Sequence, residues 1–139
     1  MEKYESKQKQ ILQNQEVVYQ KLSDLRNWEK YMPKSWEIMD NIEDLEFGMD
    51  YVSFKAKMAG KVVLRIVDRE TPKMLKFGIE GSPVAANLWI QLVGVEEQDT
   101  RMKLTIKADI PLMLKPMIGN KLQEVIDRAA DLIKLTIEN

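Results

Sequence analysis

An α+β fold is predicted, in which a curved antiparallel sheet of six to seven strands grips one long C-terminal helix and two short helices follow the first strand. Three observations predict it. Most segments between Ile42 and Ala108 alternate apolar and charged residues with a period of two, which is the pattern of half-buried strands. They arrive at near-regular spacing with short connections, which favours a meander. From Leu114 onward the apolar positions step by three and four, the pattern of a helix with one buried face. One helix cannot fill the hollow side of so many strands, so an internal cavity is expected.

The elements follow in order. In Lys3 to Ile11 the charges of Glu5, Lys7 and Lys9 alternate with Tyr4, Ser6 and Gln8, which reads as a strand with an unusually polar inner face. Asn14 then suits the cap of a helix carrying Val17, Val18, Leu22 and Leu25, and Arg26 to Tyr31 forms a second short helix before Pro33. Lys34 to Asp40 reads as a connector, and Ile42 to Phe47 as a strand closed by the turn Gly48-Met49-Asp50. In the next strand Val52, Phe54, Ala56 and Met58 share one face, opposite Ser53, Lys55 and Lys57. After Ala59-Gly60, Val62, Leu64 and Ile66 share a face opposite Lys61, Arg65 and Arg69. Thr71-Pro72-Lys73 turns the chain into Leu75, Phe77 and Ile79, and Gly81-Ser82-Pro83 breaks that strand. Asn87 to Glu96 is apolar on both faces, so either Leu88, Ile90 and Leu92 or Trp89, Gln91 and Val93 point inward. The last strand sets Met102, Leu104, Ile106 and Ala108 against Arg101, Lys103, Thr105 and Lys107.

The terminal helix carries Ile118, Leu122, Val125, Ile126, Ala129, Leu132 and Ile133 on one side and Lys121, Glu124, Asp127, Arg128, Asp131 and Lys134 on the other. About 23 helical residues span roughly 35 Å, the length of a strand of roughly ten residues, so one helix crosses the whole sheet.

Composition narrows the function. The chain has 139 residues, 45% of them hydrophobic, which suits one domain over residues 1–139 with a real core. Lys and Arg total 21 against 22 Asp and Glu, a net charge of -1 that offers no basic surplus for phosphate backbones and argues against a nucleic-acid partner. The sequence contains neither Cys nor His, which removes disulfides, thiolate zinc sites, cysteine nucleophiles and imidazole acid–base chemistry. No carboxylate pair, metal-ligand cluster or phosphate-binding glycine loop stands out, so no cofactor, no metal and no catalytic residue is expected. The charged start Met1-Glu2-Lys3-Tyr4-Glu5 lacks a secretory pattern, and no apolar run approaches the ~20 residues of a membrane span. The expectation is a cytoplasmic protein without integral membrane association, its oligomeric state open.

The order of elements, together with Val17-Val18-Tyr19-Gln20-Lys21-Leu22-Ser23-Asp24-Leu25-Arg26-Asn27-Trp28-Glu29-Lys30-Tyr31-Met32-Pro33 after strand one, resembles the SRPBCC superfamily. That group spans START lipid-transfer domains, birch-pollen-allergen-like proteins, polyketide cyclases and chaperone-activator homologues. Its members often show a similar aliphatic, Leu-x-Asp and Trp pattern in the first helices, and the resemblance covers essentially the full chain. It implies a helix-grip fold with a ligand cavity between the sheet and the C-terminal helix, and no shared catalytic residues.

Candidate ligand-binding residues follow from the inward faces. Trp28, Tyr31 and Met32 sit where the short helices should close one end of the cavity, and a wide aromatic surface there could stack on a ring or acyl chain or be plain core. Met32, Met58, Met102, Met113 and Met117 fall on inward faces or near the start of the last helix, where thioethers suit either a tolerant pocket or ordinary core gaps. Phe54, Leu64, Phe77, Leu104 and Leu122 occupy the apolar faces that should meet across the cavity. Gln8, with Ser6 and Tyr4, belongs to the inner face of strand one and could orient a polar end of a ligand or bond to its neighbours. Pro116 fits the first turn of a helix and Gly119 costs about 1 kcal/mol relative to Ala, so the helix start is a candidate portal or a capping detail. Asp44, Glu46, Arg65 and Arg69 read as solvated charges.

The leading function is a binding or carrier protein for a small hydrophobic molecule: a lipid, an isoprenoid, or a sterol-like or polyketide-like compound. One alternative is a cyclase or dehydratase like the polyketide cyclases, which would need a charged residue in the cavity. Another is a protein-interaction module, which would show a filled core and an exposed apolar patch, with Trp36 and Trp89 as candidates.

Overall fold

The computed structural model describes residues 2–31, 42–56, 60–82 and 84–138. The sheet is antiparallel, curved and unclosed. Its strands are β1 (Glu2–Glu5), β2 (Lys9–Ile11), β3 (Ile42–Phe47), β4 (Tyr51–Ala56), β5 (Gly60–Glu70), β6 (Met74–Glu80), β7 (Ala86–Glu96) and β8 (Asp99–Ala108). They pair in the order β1-β8-β7-β6-β5-β4-β3, with β2 also on β8, so the chain meanders from β3 to β8, and β8 pairs back with the first strand. Helices α1 (Gln15–Ser23) and α2 (Arg26–Tyr31) follow β2, and a 3-10 turn at Leu112–Leu114 leads into α3 (Lys115–Glu138). This is the α+β helix-grip arrangement expected from the alternation pattern and the terminal helix.

The first strand departs from expectation in one respect. It splits into β1 and β2 because Glu5 pairs with Thr105 while Lys9 pairs with Met102, which leaves three residues opposite two. Such a bulge shifts alternation by one place. Ser6 stabilises the break: its N–H donates to the Leu104 carbonyl at 2.9 Å, and the Leu104 N–H donates to Ser6 Oγ at 2.9 Å. Tyr4 and Ser6 therefore face the helix, as expected. Gln8 does not; beyond the bulge Lys9 and Ile11 take the inner face, with Lys9 paired to Asp131 of α3.

Asn14 caps α1 by accepting from the Glu16 N–H at 2.9 Å. Val18, Tyr19 and Leu22 are its buried face, and Leu25 and Trp28 continue that face into α2. Pro116 occupies the first turn of α3, where its missing N–H costs nothing. Helix α3 packs against β1, β2 and β8 and against α1 and α2, and so covers one side of the inner face.

The register settles the two-sided strand. In β7, Leu88, Ile90 and Leu92 pair with Ile106, Leu104 and Met102 and point inward. Trp89 points outward between the ammonium groups of Lys76 and Lys107, at 5.3 and 5.4 Å from its ring centre. A Trp flanked by two cations keeps its ring on the outer face without exposing bare apolar surface.

The core has two unlike ends. At the end where α1 and α2 sit, Ile11, Val18, Leu22, Leu25, Leu75, Ile90, Met102, Ile133 and Ile137 are buried and pack as one cluster. At the other end Leu45, Phe47, Leu64, Leu88, Ile106 and Ala129 are only partly buried around it. That second end is where α3 begins, because the β8–α3 and β6–β7 connections lie side by side, joined by Asp109 N–H to the Ala85 carbonyl at 2.9 Å.

Candidate functional site

Between the inner face of β3–β8 and helix α3 lies a cavity of about 350 Å3. Its floor is built from alternate residues of each strand: Leu45 and Phe47, Val52 and Phe54, Val62 and Leu64, Phe77 and Ile79, then Leu88, Leu104 and Ile106. The period of two explains why every strand supplies apolar groups here and charges outside. Helix α3 roofs it with residues at helical spacing from Leu122 to Ile133, and Trp28 of α2 closes the inner end.

Local backbone features aim several of these side chains. In β3 the register shifts between Glu43 and Glu46, and Asp44 takes up the extra residue at φ 54, a conformation Asp tolerates better than most residues. Leu45 and Phe47 thereby both reach the cavity while Glu43 and Glu46 stay outside. The Trp28 indole N–H donates to the Leu22 carbonyl at 3.1 Å, which holds the ring, and its centre lies 6.2 Å from that of Phe77 at a tilt of 57°. At Gly81, φ is 83 and a Cβ would collide with the Lys61 carbonyl, so only glycine makes this bend, which brings Ser82 to the cavity.

The electrostatics of the cavity are simple. Among the described lining residues, none is ionisable. The groups with shifted pKa sit in surface pairs: the Glu5 carboxyl is lowered to about 2 by bonds from Lys3 and then Lys103. Asp99 is lowered by Arg101, and Asp127 by the Gln123 amide. Tyr51 is raised by its hydrogen bond to Glu46. Among the described residues no cluster of acidic groups has metal-binding geometry, and no helix is long and apolar enough to cross a membrane.

The structure places the candidate residues as follows. Trp28, Phe54, Leu64, Phe77, Leu104 and Leu122 come together around the cavity. Met102 is fully buried in the packed end, outside the lining, because α1 and the last turns of α3 cover that part of β8. Met113 and Met117 are 91% and 67% exposed, so they point to solvent, although the same first turns lie along β1, with Lys115 paired to Glu2 and Gly119 against the Tyr4 hydroxyl. Gln8 lines a separate polar recess with Gln15, Lys73, Gln91, Arg101 and Lys103 on the outer face, a consequence of the bulge. Met32, Met58 and Trp36 lie outside the described residues, as does the Tyr31 side chain. Reasoning from sequence missed Leu45 and Phe47, whose strand lacks clean alternation because of the bulge. It also missed Ser82, which read as a strand breaker.

No family model matches the sequence, and no curated protein matches it. Solved structures do. Norcoclaurine synthase from Thalictrum flavum, a point mutant in complex with a transition-state analogue, superposes with a TM-score of 0.72 at 12% identity, over 98% of this chain and 93% of that one. A START superfamily protein from Mycobacterium smegmatis gives a TM-score of 0.65 at 8% identity, over 98% and 94% of the two chains. The Aha1 dimer from Colwellia psychrerythraea gives 0.63 at 15% identity, over 100% and 99%. At these identities the shared property is the fold alone, a curved antiparallel sheet around a long C-terminal helix.

Proposed function

We propose that this protein binds or carries a small hydrophobic molecule in the cavity between sheet and helix. The observation that carries this reading is an apolar space of about 350 Å3 lined by side chains from six strands and two helices. That volume lies in the range of small-molecule sites. Enclosing ~300 Å2 of ligand surface at about 25 cal/mol per Å2 contributes roughly 7 kcal/mol before entropy and desolvation, so micromolar affinity needs no special contact. A lipid, an isoprenoid, or a sterol-like or polyketide-like compound fits such a wall.

Native mass spectrometry on gently purified protein, with thermal shifts against lipid and aromatic panels, tests the reading. A co-purifying mass, or a shift abolished by filling the cavity, is the expected result. Neither a bound mass nor any shift would sink it. A cyclase or dehydratase would draw on an ionisable side chain reaching the ligand, and the described lining offers only the Ser82 hydroxyl as a reactive group. An interaction module is favoured by a different feature, the exposed Leu112, Met113 and Met117 at the start of α3. Pull-downs lost on polar replacement of those three, with ligand binding intact, would support that second role.

A further inference from the structure

We infer that the ligand is uncharged, a hydrocarbon body bearing one hydrogen-bond-accepting oxygen, as in a ketone, ester or alcohol, and that Ser82 receives that oxygen. The inference rests on the carrier reading of the cavity and adds the chemical class and the orientation of what is carried.

Of the described side chains around the cavity, only Ser82 and the Trp28 indole carry a polar group. The indole N–H is already donated to the Leu22 carbonyl. The Ser82 oxygen accepts from the Val84 N–H at 3.1 Å, which fixes the hydroxyl in place and leaves its own proton to donate. Among the described lining side chains, the site thus offers one free donor on an otherwise apolar wall. An ionised carboxylate drawn into that wall would lose its hydration with no cation among the described lining residues to pair with, so it would stay out or enter only after taking up a proton. A ketone or ester oxygen loses far less on leaving water and regains a bond at Ser82.

Orientation follows from topology. Ser82 lies in the β6–β7 connection, which is bonded to the start of the β8–α3 connection through Ala85 and Asp109. Trp28 and Phe77 lie toward the packed end. The oxygen would therefore sit at the hollow end and the hydrocarbon would run inward against the aromatic pair. Gly81 makes the placement specific, because its bend cannot be made with a side chain present.

Calorimetric titration of the full chain with a medium-chain methyl ketone, the carboxylate of equal chain length and n-butylbenzene tests this. At neutral pH the ketone should bind about tenfold tighter than the carboxylate, and the carboxylate should gain affinity as pH falls toward its own pKa of roughly 4 to 5. Ser82→Ala should weaken the ketone about threefold to tenfold and leave n-butylbenzene unchanged, while Ser82→Thr, which keeps the hydroxyl, should retain the ketone. A carboxylate as tight as the ketone at neutral pH overturns the uncharged class. Equal ketone affinity in wild type and Ser82→Ala overturns the role of Ser82. Either result leaves the carrier reading standing if n-butylbenzene binds; failure of all three probes overturns both.

Discussion

The two ends of this molecule are made from the same strands and the same helix, yet one is solid and the other hollow. At the packed end Ile90 and Leu92 of β7 and Met102 of β8 lie under α1, α2 and the last turns of α3. At the open end Leu88 and Ile106, a few residues along the same two strands, face empty space. Alternation is unbroken between them, so the inward pattern of a strand does not decide whether its side chains pack or line a cavity. What differs among the described residues is the cover: two short helices plug one end, while α3 roofs the other. A helix laid along one side of a curved sheet leaves the far side uncovered unless something else fills it.

The largest test of that contrast is truncation. Ile90→Ala removes a fully buried side chain and should cost about 3 kcal/mol by denaturant midpoint. Leu88→Ala, which deletes a group already facing the cavity, should cost about 1 kcal/mol or less. Equal losses would mean that both ends are packed alike in solution.

Filling sharpens the same comparison on adjacent residues of α3. Ala130 is fully buried and Ala129 lines the cavity. Ala130→Leu should destabilise by about 1–3 kcal/mol through overpacking. Ala129→Leu should stay within about 0.5 kcal/mol of wild type while displacing any ligand, read by calorimetry with n-butylbenzene. Retained binding in Ala129→Leu would move the ligand elsewhere.

The smallest effect concerns the edge beside α3. Glu5 of β1 bonds Lys3 at 2.8 Å and Lys103 of β8 at 3.0 Å, which ties the edge strand to its neighbour. Its carboxyl is lowered from 4.5 to about 2 in the folded protein. The folded state therefore binds the proton less readily than the unfolded chain, so the stabilisation is present above the unfolded value and fades as pH falls toward about 2. Thermal melts of Glu5→Gln should lie slightly below wild type at neutral pH and converge with it in acid, and salt should shrink the gap because the pair is exposed. A gap that persists unchanged to low pH would assign the effect to packing of the strand.

Strand β8, the turn residues, the Asn14 cap and the amphipathic α3 were readable directly, because each is a local preference repeated over several residues. From the same patterns came six residues that surround the cavity: Trp28, Phe54, Leu64, Phe77, Leu104 and Leu122. Gln8 and the methionines Met102, Met113 and Met117 share the apparent inward phase but not the location: the bulge turns Gln8 outward, Met102 is buried at the packed end, and Met113 and Met117 face solvent.

Periodicity in the chain thus settles which face of each element avoids water, since that is a property of neighbouring residues. Whether the avoided face meets protein or empty volume depends on how α1, α2 and α3 dock across the sheet. The single-residue offset before β2, the choice of inward set in β7 and the approach of Ser82 to the cavity depend on pairing between distant strands. Those contacts are long-range, and no local preference encodes them.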